Sequence, residues 1–317
     1  MEINHNKQIV GLFKTLIEKK RLGHAYLFSG MESSGKGETA VAIAKLINCE
    51  ELKESFCDRC PTCLKIEGRS HPDVITIDNE FGESIKIEQI RNILSQVKLR
   101  PYMAEKRVII IENIENFTQE SANALLKTLE EPSASSLLVL TTSDLEKCLD
   151  TVKSRCHIFL FYPLAHEKLV GLLKEGYDEK PEKLSFSSQY SQGCLGRAKV
   201  LLEGGFFEEK NKIIDKFISQ GINTDQMKKM LEDKKKTKDF LNIIFSWLHD
   251  ALLLKTGMGL DNIVHQDRLA DLTSFQERYS YEELTGLKDH LITIHKMFNE
   301  KFNVSISMNI LQSLLKV

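Results

Sequence analysis

The sequence predicts an α/β domain built on a parallel sheet over residues 1–163, followed by an all-helical remainder. Three observations carry this reading. Short apolar runs alternate with helical patterns in the first half, a glycine-rich loop joins the first such run to a helix, and no convincing strand follows Pro163. The β-type runs are Ala25–Phe28, Val74–Ile77, Val108–Ile111, Leu137–Leu140 and His157–Phe161. Most are apolar on consecutive residues, which suits strands buried on both faces of a parallel sheet. Ile9, Val10, Phe13, Leu16 and Ile17 recur at helical spacing, as do Ile87, Ile90, Leu94 and Val97. A helix over Thr118–Glu130 is stopped by Pro132. Short helical patterns over 164–205 end at Gly204-Gly205. Residues 206–317 read as the helices Lys212–Ser219, Asp239–Lys255, Tyr281–Lys301 and Asn303–Leu315. The last is apolar over much of its circumference and is expected to be buried, either in its own domain or against a partner. Boundaries near 163 and 206 give three expected domains: 1–163, 164–205 and 206–317.

Composition narrows the function classes. A chain of 317 residues and 36.2 kDa buries enough surface to need no disulfides. Lys+Arg is 43 against 45 Asp+Glu, a net charge of -2, which excludes a basic nucleic-acid coat but not a local basic patch. The 42% hydrophobic and 28% charged content excludes wholesale disorder. No apolar run approaches the roughly 18 residues of a membrane span, and the amphipathic N-terminus lacks the apolar core of a signal peptide. The expectation is a cytoplasmic, reducing compartment, where the seven cysteines are thiols or metal ligands.

The glycine-rich loop runs Gly30-Met31-Glu32-Ser33-Ser34-Gly35-Lys36-Gly37. It matches the phosphate loop G-x-x-x-x-G-K except at its last position. Glycines let backbone N–H groups curl around phosphate, the helix N-terminus adds positive potential, and Lys36 reaches terminal phosphates. The Ser or Thr that normally ligates Mg²⁺ is replaced by Gly37. Thr39 is a poor substitute, because two residues along a helix is about 200° of rotation. A glycine turn that merely joins strand to helix is the bland alternative. The run Val108-Ile109-Ile110-Ile111 ends in Glu112-Asn113, where an aspartate and a second acid are expected. An amide at Asn113 cannot take a proton from an attacking water as a carboxylate does. The hydroxyl, the aspartate and the general base are thus altered together, so the fold is expected to persist without hydrolysis.

Cys49, Cys57, Cys60 and Cys63 follow the spacing C-x₇-C-x₂-C-x₂-C. The short spacings let thiolates converge on one ion, and four of them complete a closed tetrahedral zinc site. A structural Zn²⁺ would order the polar loop around them, and no open position remains for a catalytic metal. A redox C-x-x-C is the alternative. Cys148, Cys156 and Cys194 lack ligand spacing and read as small buried residues.

Several stretches together carry a family resemblance. They are Gly23-His24-Ala25-Tyr26-Leu27-Phe28-Ser29-Gly30, the four cysteines with His71-Pro72-Asp73, and Ser121-Ala122-Asn123-Ala124-Leu125-Leu126-Lys127-Thr128-Leu129-Glu130-Glu131-Pro132. Ser154-Arg155-Cys156 and Gly196-Arg197-Ala198 continue the match. The chain resembles the delta prime family of bacterial DNA polymerase III subunits over about residues 1–200. The resemblance implies an AAA+ base carrying the zinc module, a small helical lid, and an all-α collar that joins a hetero-pentameric ring. The implied partners are the gamma/tau and delta clamp-loader subunits, with the sliding clamp and primed DNA reached through the complex. Delta prime proteins are usually stators that do not hydrolyse ATP, non-catalytic alone within a complex classed as a DNA-directed DNA polymerase. The gamma/tau ATPase, a sibling sharing the zinc cluster and Ser-Arg-Cys, is the alternative. A free-standing zinc protein or zinc-dependent nucleic-acid enzyme would leave the other motifs unexplained.

The resemblance also implies residue roles. Arg155 is the candidate arginine finger, acting in trans on a neighbour's ATP, and is expected to be exposed at a subunit interface with no acid partner in its own chain; a surface or salt-bridged arginine between a helix and a strand is the alternative. Gly30, Gly35, Lys36 and Arg197 form a degenerate nucleotide site that retains or has lost ATP or ADP. Arg197 is either a lid sensor or a tie between lid and base. Thr141 and Thr142 are either a polar sensor or strand-end hydroxyls serving the backbone. Lys127 is a candidate for DNA phosphates, and Lys234-Lys235-Lys236 is either a DNA patch or a solvated run between helices.

Overall fold

Five parallel strands form one sheet: β1 (Ala25–Gly30), β2 (Val74–Ile77), β3 (Arg107–Ile111), β4 (Ser136–Thr142) and β5 (His157–Phe161), in the order β2-β3-β4-β1-β5. The computed structural model describes residues 6–51, 55–78, 87–97, 99–221, 233–300, 302 and 305–315. Side chains alternate between two cores. Tyr26, Phe28, Val108, Ile110, Leu137 and Val139 pack with Phe13, Ile43 and Leu46 on one face. Ala25, Leu27, Ile109, Ile111, Leu138 and Leu140 pack with Ile90, Leu94, Leu125 and Leu129 on the other. A strand covered on both sides needs apolar residues at every position, which is why these runs do not alternate.

β5 departs from the expectation of two buried faces. It pairs with β1 alone, and Ile158 and Leu160 are 41% and 49% exposed. Its inward residues, Phe159 and Phe161, pack against Phe28.

The first unit spans residues 1–164 with 194–196, and the second 165–193 with 197–317. In the second, the segments expected as separate lid and collar share one core. Phe186, Tyr190 and Leu201 cluster with Ile214, Phe217, Trp247, Leu291 and Leu311. The helix Leu269–Glu277 was not foreseen, and it adds Leu272 and Phe275 to that core. A helix runs Lys234–Lys255 rather than from Asp239. Asp233 is its N-cap and accepts from the N–H groups of Lys235 and Lys236, so the lysine run forms a first helical turn instead of a link between helices. A capping box of Ser280 and Glu283 starts Tyr281–Asn299. The last helix, Ser305–Leu314, buries Met308 and Leu311 within the chain and leaves Ile310 and Leu314 exposed on it. Asn303 lies outside the described residues. Among the described residues no helix is long and apolar enough to cross a membrane.

Asp73 pins the edge of the sheet beside β2. Its buried carboxylate accepts from the N–H groups of Tyr102, Met103 and Ala104 at 2.8–3.1 Å and from Arg107 Nη2 at 2.7 Å. Burial opposes the charge, but the Met103 N–H, the Arg107 guanidinium and the other two N–H groups outweigh it and bring the pKa down to about 2. An aspartate in the unfolded chain titrates near 3.9, so this stabilisation is complete above about pH 5 and is lost as pH falls from there toward 2. Asp73→Asn is therefore expected to lower unfolding free energy by about 3 kcal/mol at pH 7 in urea titrations, with the gap to wild type shrinking below about pH 4.

Candidate functional site

The phosphate loop sits at the C-terminal edge of the sheet, where β1 passes into the helix Lys36–Asn48 between neighbours β4 and β5. This is the edge at which open α/β sheets bind ligands. Gly30 is required by close approach: a Cβ there would lie 2.4 Å from the Phe161 carbonyl oxygen. Gly35 takes φ 86° at the helix N-cap, and Ser33 shares the left-handed region at φ 59°. The Lys36 ammonium donates to the carbonyls of Gly30 and Met31, both at 2.7 Å, and is 6% exposed. Burial lowers its pKa, and the charges of Glu115, Cys194, Glu32 and Glu112 oppose that shift. The structure thus places Gly30, Gly35 and Lys36 on one turn.

Thr39 does not face the loop mouth. Its hydroxyl donates to the Gly35 carbonyl at 2.6 Å and accepts from Asn6 Nδ2 at 3.1 Å. Asn6 also donates to the Ser34 carbonyl at 3.2 Å, a clamp on the loop that no sequence motif signals. Gly196 touches the loop from the other direction, since a Cβ there would meet the Ser33 carbonyl at 3.1 Å. Arg197 lies with its guanidinium carbon 5.4 Å from the Tyr190 ring centre, within the helical unit.

Glu112 ends β3 with its carboxylate against Gly37. A Cβ at position 37 would lie 3.0 Å and 3.1 Å from the two carboxylate oxygens. Arg69 Nη2 stands 3.9 Å from Glu112 Oε1, and Arg69 Nη1 stands 3.6 Å from Asp78 Oδ2. Burial raises the Glu112 pKa, helped by Asp78 and Glu38 and opposed by Arg69 and Lys36. Asn113 follows in the left-handed region at φ 57° and donates its N–H to Thr141 Oγ1 at 3.2 Å. Thr142 Oγ1 donates to the Asp144 carbonyl and accepts from the Asp144 N–H. Both hydroxyls serve the backbone, as strand-end residues do. Glu115, which the sequence did not single out, accepts from the N–H of Ser143 at 2.9 Å.

The sulfurs of Cys49, Cys57, Cys60 and Cys63 all lie within 4.8 Å of one another, a donor set that could hold a metal ion. Cys60 caps the helix Pro61–Glu67, and N–H groups of Cys57, Cys60 and Cys63 donate to the sulfurs of Cys49, Cys57 and Cys60. The module is tied to the helix after the phosphate loop. Lys45, on that helix, has a side chain only 5% exposed and pairs with Asp58 and, at 2.7 Å, with Glu67. Burial works against its charge, but those two carboxylates raise its pKa overall. Cys148 and Cys194 are buried, Cys156 is half-buried, and no cysteine forms a disulfide.

Arg155 corrects an expectation. It has an acid partner in its own chain: Nη2 donates to Glu130 Oε1 at 2.8 Å, and Nη1 donates to the Thr151 carbonyl at 2.9 Å. Its side chain is 35% exposed rather than fully free. The pairing engages one carboxylate oxygen through one nitrogen and is not bidentate. The Gln119–Glu130 helix buries Leu125 and Leu129, and Lys127 is exposed on it. Lys235 and Lys236 are exposed as well.

The loop's dependence on close packing is testable. Gly30→Ala is expected to destabilise the protein by about 1–3 kcal/mol in urea unfolding, because the Phe161 carbonyl must move. Gly11→Ala, on a helix and with nothing within 4 Å of its added Cβ, is expected to stabilise it by up to about 1 kcal/mol.

Comparisons with known proteins identify the family. Residues 5–165 match the family model for the DNA polymerase III delta subunit, and residues 205–317 match that for its C-terminal part. The chain is 27% identical over 305 residues to DNA polymerase III subunit delta′ of Bacillus subtilis (strain 168), covering 94% of this chain and 92% of that protein. It is 30% identical over 324 residues to DNA polymerase III subunit gamma of Buchnera aphidicola subsp. Schizaphis graminum, covering 96% and 86%. Among solved structures, a DNA polymerase III gamma subunit-related protein of Thermotoga maritima aligns over 97% of this chain and 92% of its own, at 20% identity and TM-score 0.45. The chain belongs to the delta prime family of DNA polymerase III clamp-loader subunits, with the gamma and tau subunits as similar relatives.

Proposed function

We propose that this chain is a non-hydrolysing stator of the clamp loader and supplies Arg155 to the ATP site of a neighbouring subunit. The observation that carries the first half is the end of β3. Glu112 fills the space beside Gly37, which has no hydroxyl, and the next residue is the amide Asn113. A metal-ligating hydroxyl and a general base are both lacking there. In this reading the chain sits in a hetero-pentameric ring with gamma/tau and delta subunits. It helps place a sliding clamp on primed DNA in the cytoplasm, and it does no chemistry alone. Gly30, Gly35 and Lys36 retain phosphate contacts for ATP or ADP without cleavage, and Arg197 packs on Tyr190 within the helical unit.

Arg155 is compatible with a role in trans. A half-exposed ion pair such as Arg155–Glu130 contributes about 0–1 kcal/mol. A triphosphate carries more charge than one carboxylate and accepts bidentate contacts from a guanidinium. Glu130 then parks the arginine until a neighbour's phosphate arrives. Charge neutralisation by such a residue raises phosphoryl-transfer rates strongly. In the reconstituted loader with clamp and primed DNA, Arg155→Ala is expected to lower ATP turnover at least about tenfold while size-exclusion chromatography shows an intact ring. Unchanged turnover with an intact ring would contradict the role in trans.

The Cys49, Cys57, Cys60 and Cys63 cluster is proposed to hold one structural Zn²⁺. Four thiolates leave no coordination position for substrate, so the ion would order the module rather than react. Elemental analysis of the purified chain is expected to give one zinc per molecule, lost in Cys60→Ser with a lowered thermal midpoint. Full-length protein without zinc at an unchanged midpoint would reject this assignment. An active gamma/tau-type ATPase is the second reading, favoured by the 30% identity to a gamma subunit and opposed by Gly37 and Asn113.

A further inference from the structure

A P-loop ATPase holds a divalent cation between the hydroxyl that follows its lysine and the carboxylate that ends its third strand. The residues of this chain do not fit such an ion. Position 37 offers no side-chain oxygen, and the Glu112 carboxylate oxygens lie 3.0 Å and 3.1 Å from where a Cβ at 37 would stand. Thr39 spends its hydroxyl on the Gly35 carbonyl. A cation of the chain's own already stands among these acids. The Arg69 guanidinium faces Glu112 at 3.9 Å and Asp78 at 3.6 Å, from the ends of β3 and β2.

Backbone geometry holds Arg69 there. It follows Gly68, the C-cap of the Pro61–Glu67 helix, in the left-handed region at φ 51°. Its N–H donates to the Ile66 carbonyl at 3.1 Å, and the next N–H, of Ser70, donates to the Lys65 carbonyl at 2.9 Å. This is the ordinary way a helix spends its last carbonyls. The same helix carries Cys63 and is anchored through Glu67 to Lys45 on the phosphate-loop helix. Arg69 is thus aimed at the site by an element that is itself fixed to the loop.

Charge arithmetic makes the placement matter. Glu112 and Asp78 put two negative charges beside the loop, and Glu38 adds a third felt at Glu112. An anionic phosphate brought to such a place without a compensating cation is repelled. Lys36 contributes one positive charge, which alone does not balance three carboxylates. A guanidinium has five N–H donors in a planar fork, enough to face carboxylates and phosphate oxygens together.

We infer that Arg69 takes the place of the divalent cation in this phosphate loop, so that the chain binds nucleotide phosphates without a divalent metal. The inference deepens the non-hydrolysing reading and rests on it. No bond is made or broken, and the loop serves as a phosphate anchor. Arg69 is a binding residue by this account, and Glu112 and Asp78 position it.

The test is calorimetric titration of the full-length chain with ADP in EDTA and again in Mg²⁺. Wild type is expected to bind with dissociation constants that agree within about twofold in the two buffers. Arg69→Gln is expected to weaken binding in EDTA at least about fivefold, and Arg69→Lys, which keeps the charge, to recover most of it. Arg69 is 56% exposed, so neither substitution opens a core. Three results would overturn the inference: tenfold or tighter binding in Mg²⁺ than in EDTA, unchanged binding in Arg69→Gln, or no ADP binding by wild type. Each leaves the non-hydrolysing reading standing, because none concerns turnover. Mg²⁺-dependent hydrolysis by the chain would end both.

Discussion

The Lys36 ammonium closes the turn between β1 and its helix by donating to two carbonyls of the loop, and the functional edge of the protein is organised around that closure. The closure needs β1 to run tight against β5, which is why Gly30 cannot carry a side chain beside Phe161. It needs a left-handed backbone at Ser33 and Gly35, so that N–H groups line the turn. It is reinforced by Asn6 from before the first helix and by Gly196 from after the first unit's last strand. Elements distant in sequence therefore converge on six or seven residues of loop.

A second set of contacts joins the cysteine module to that edge. Lys45 is buried on the phosphate-loop helix and paired with two acids of the module. Losing both acids would strand the buried Lys45 charge away from water, so the double pairing fixes where the module sits. Ordering within the module follows from its sulfurs, which accept N–H groups from one another's residues. The module's last helix ends at Gly68 and Arg69, and this carries a positive charge to the acids closing β2 and β3. Asp73 performs a comparable service at the sheet edge, where one carboxylate collects three N–H groups and a guanidinium.

Much of this was legible in the sequence, for physical reasons. The three inner strands, β1, β3 and β4, carry runs of consecutive apolar residues because both faces are covered, and that signal is strong over as few as four residues. The phosphate loop and cysteine spacing were readable because local geometry alone demands those residues at those separations. β5 carries the same apolar signal, yet its outer face is open, since pattern alone does not reveal that nothing packs beyond an edge strand. Leu269–Glu277 was missed because its inward residues, Leu272 and Phe275, span less than one turn of periodicity. Arg69, Asn6 and Glu115 were invisible for a different reason. Each acquires its role from partners brought close only by the tertiary fold. The Glu130 partner of Arg155 belongs to the same class: the two are neighbours through packing of a helix against a strand connection, not through spacing.

The central claim is that this phosphate loop holds its shape without hydrolytic chemistry. The most direct measurement is steady-state ATP hydrolysis by the purified chain alone, in Mg²⁺, beside Lys36→Ala. The account predicts no turnover above buffer, identical for both proteins, even at saturating ATP. Turnover by wild type that requires Mg²⁺ and disappears in Lys36→Ala would contradict it and would make the chain a working ATPase of the gamma/tau kind.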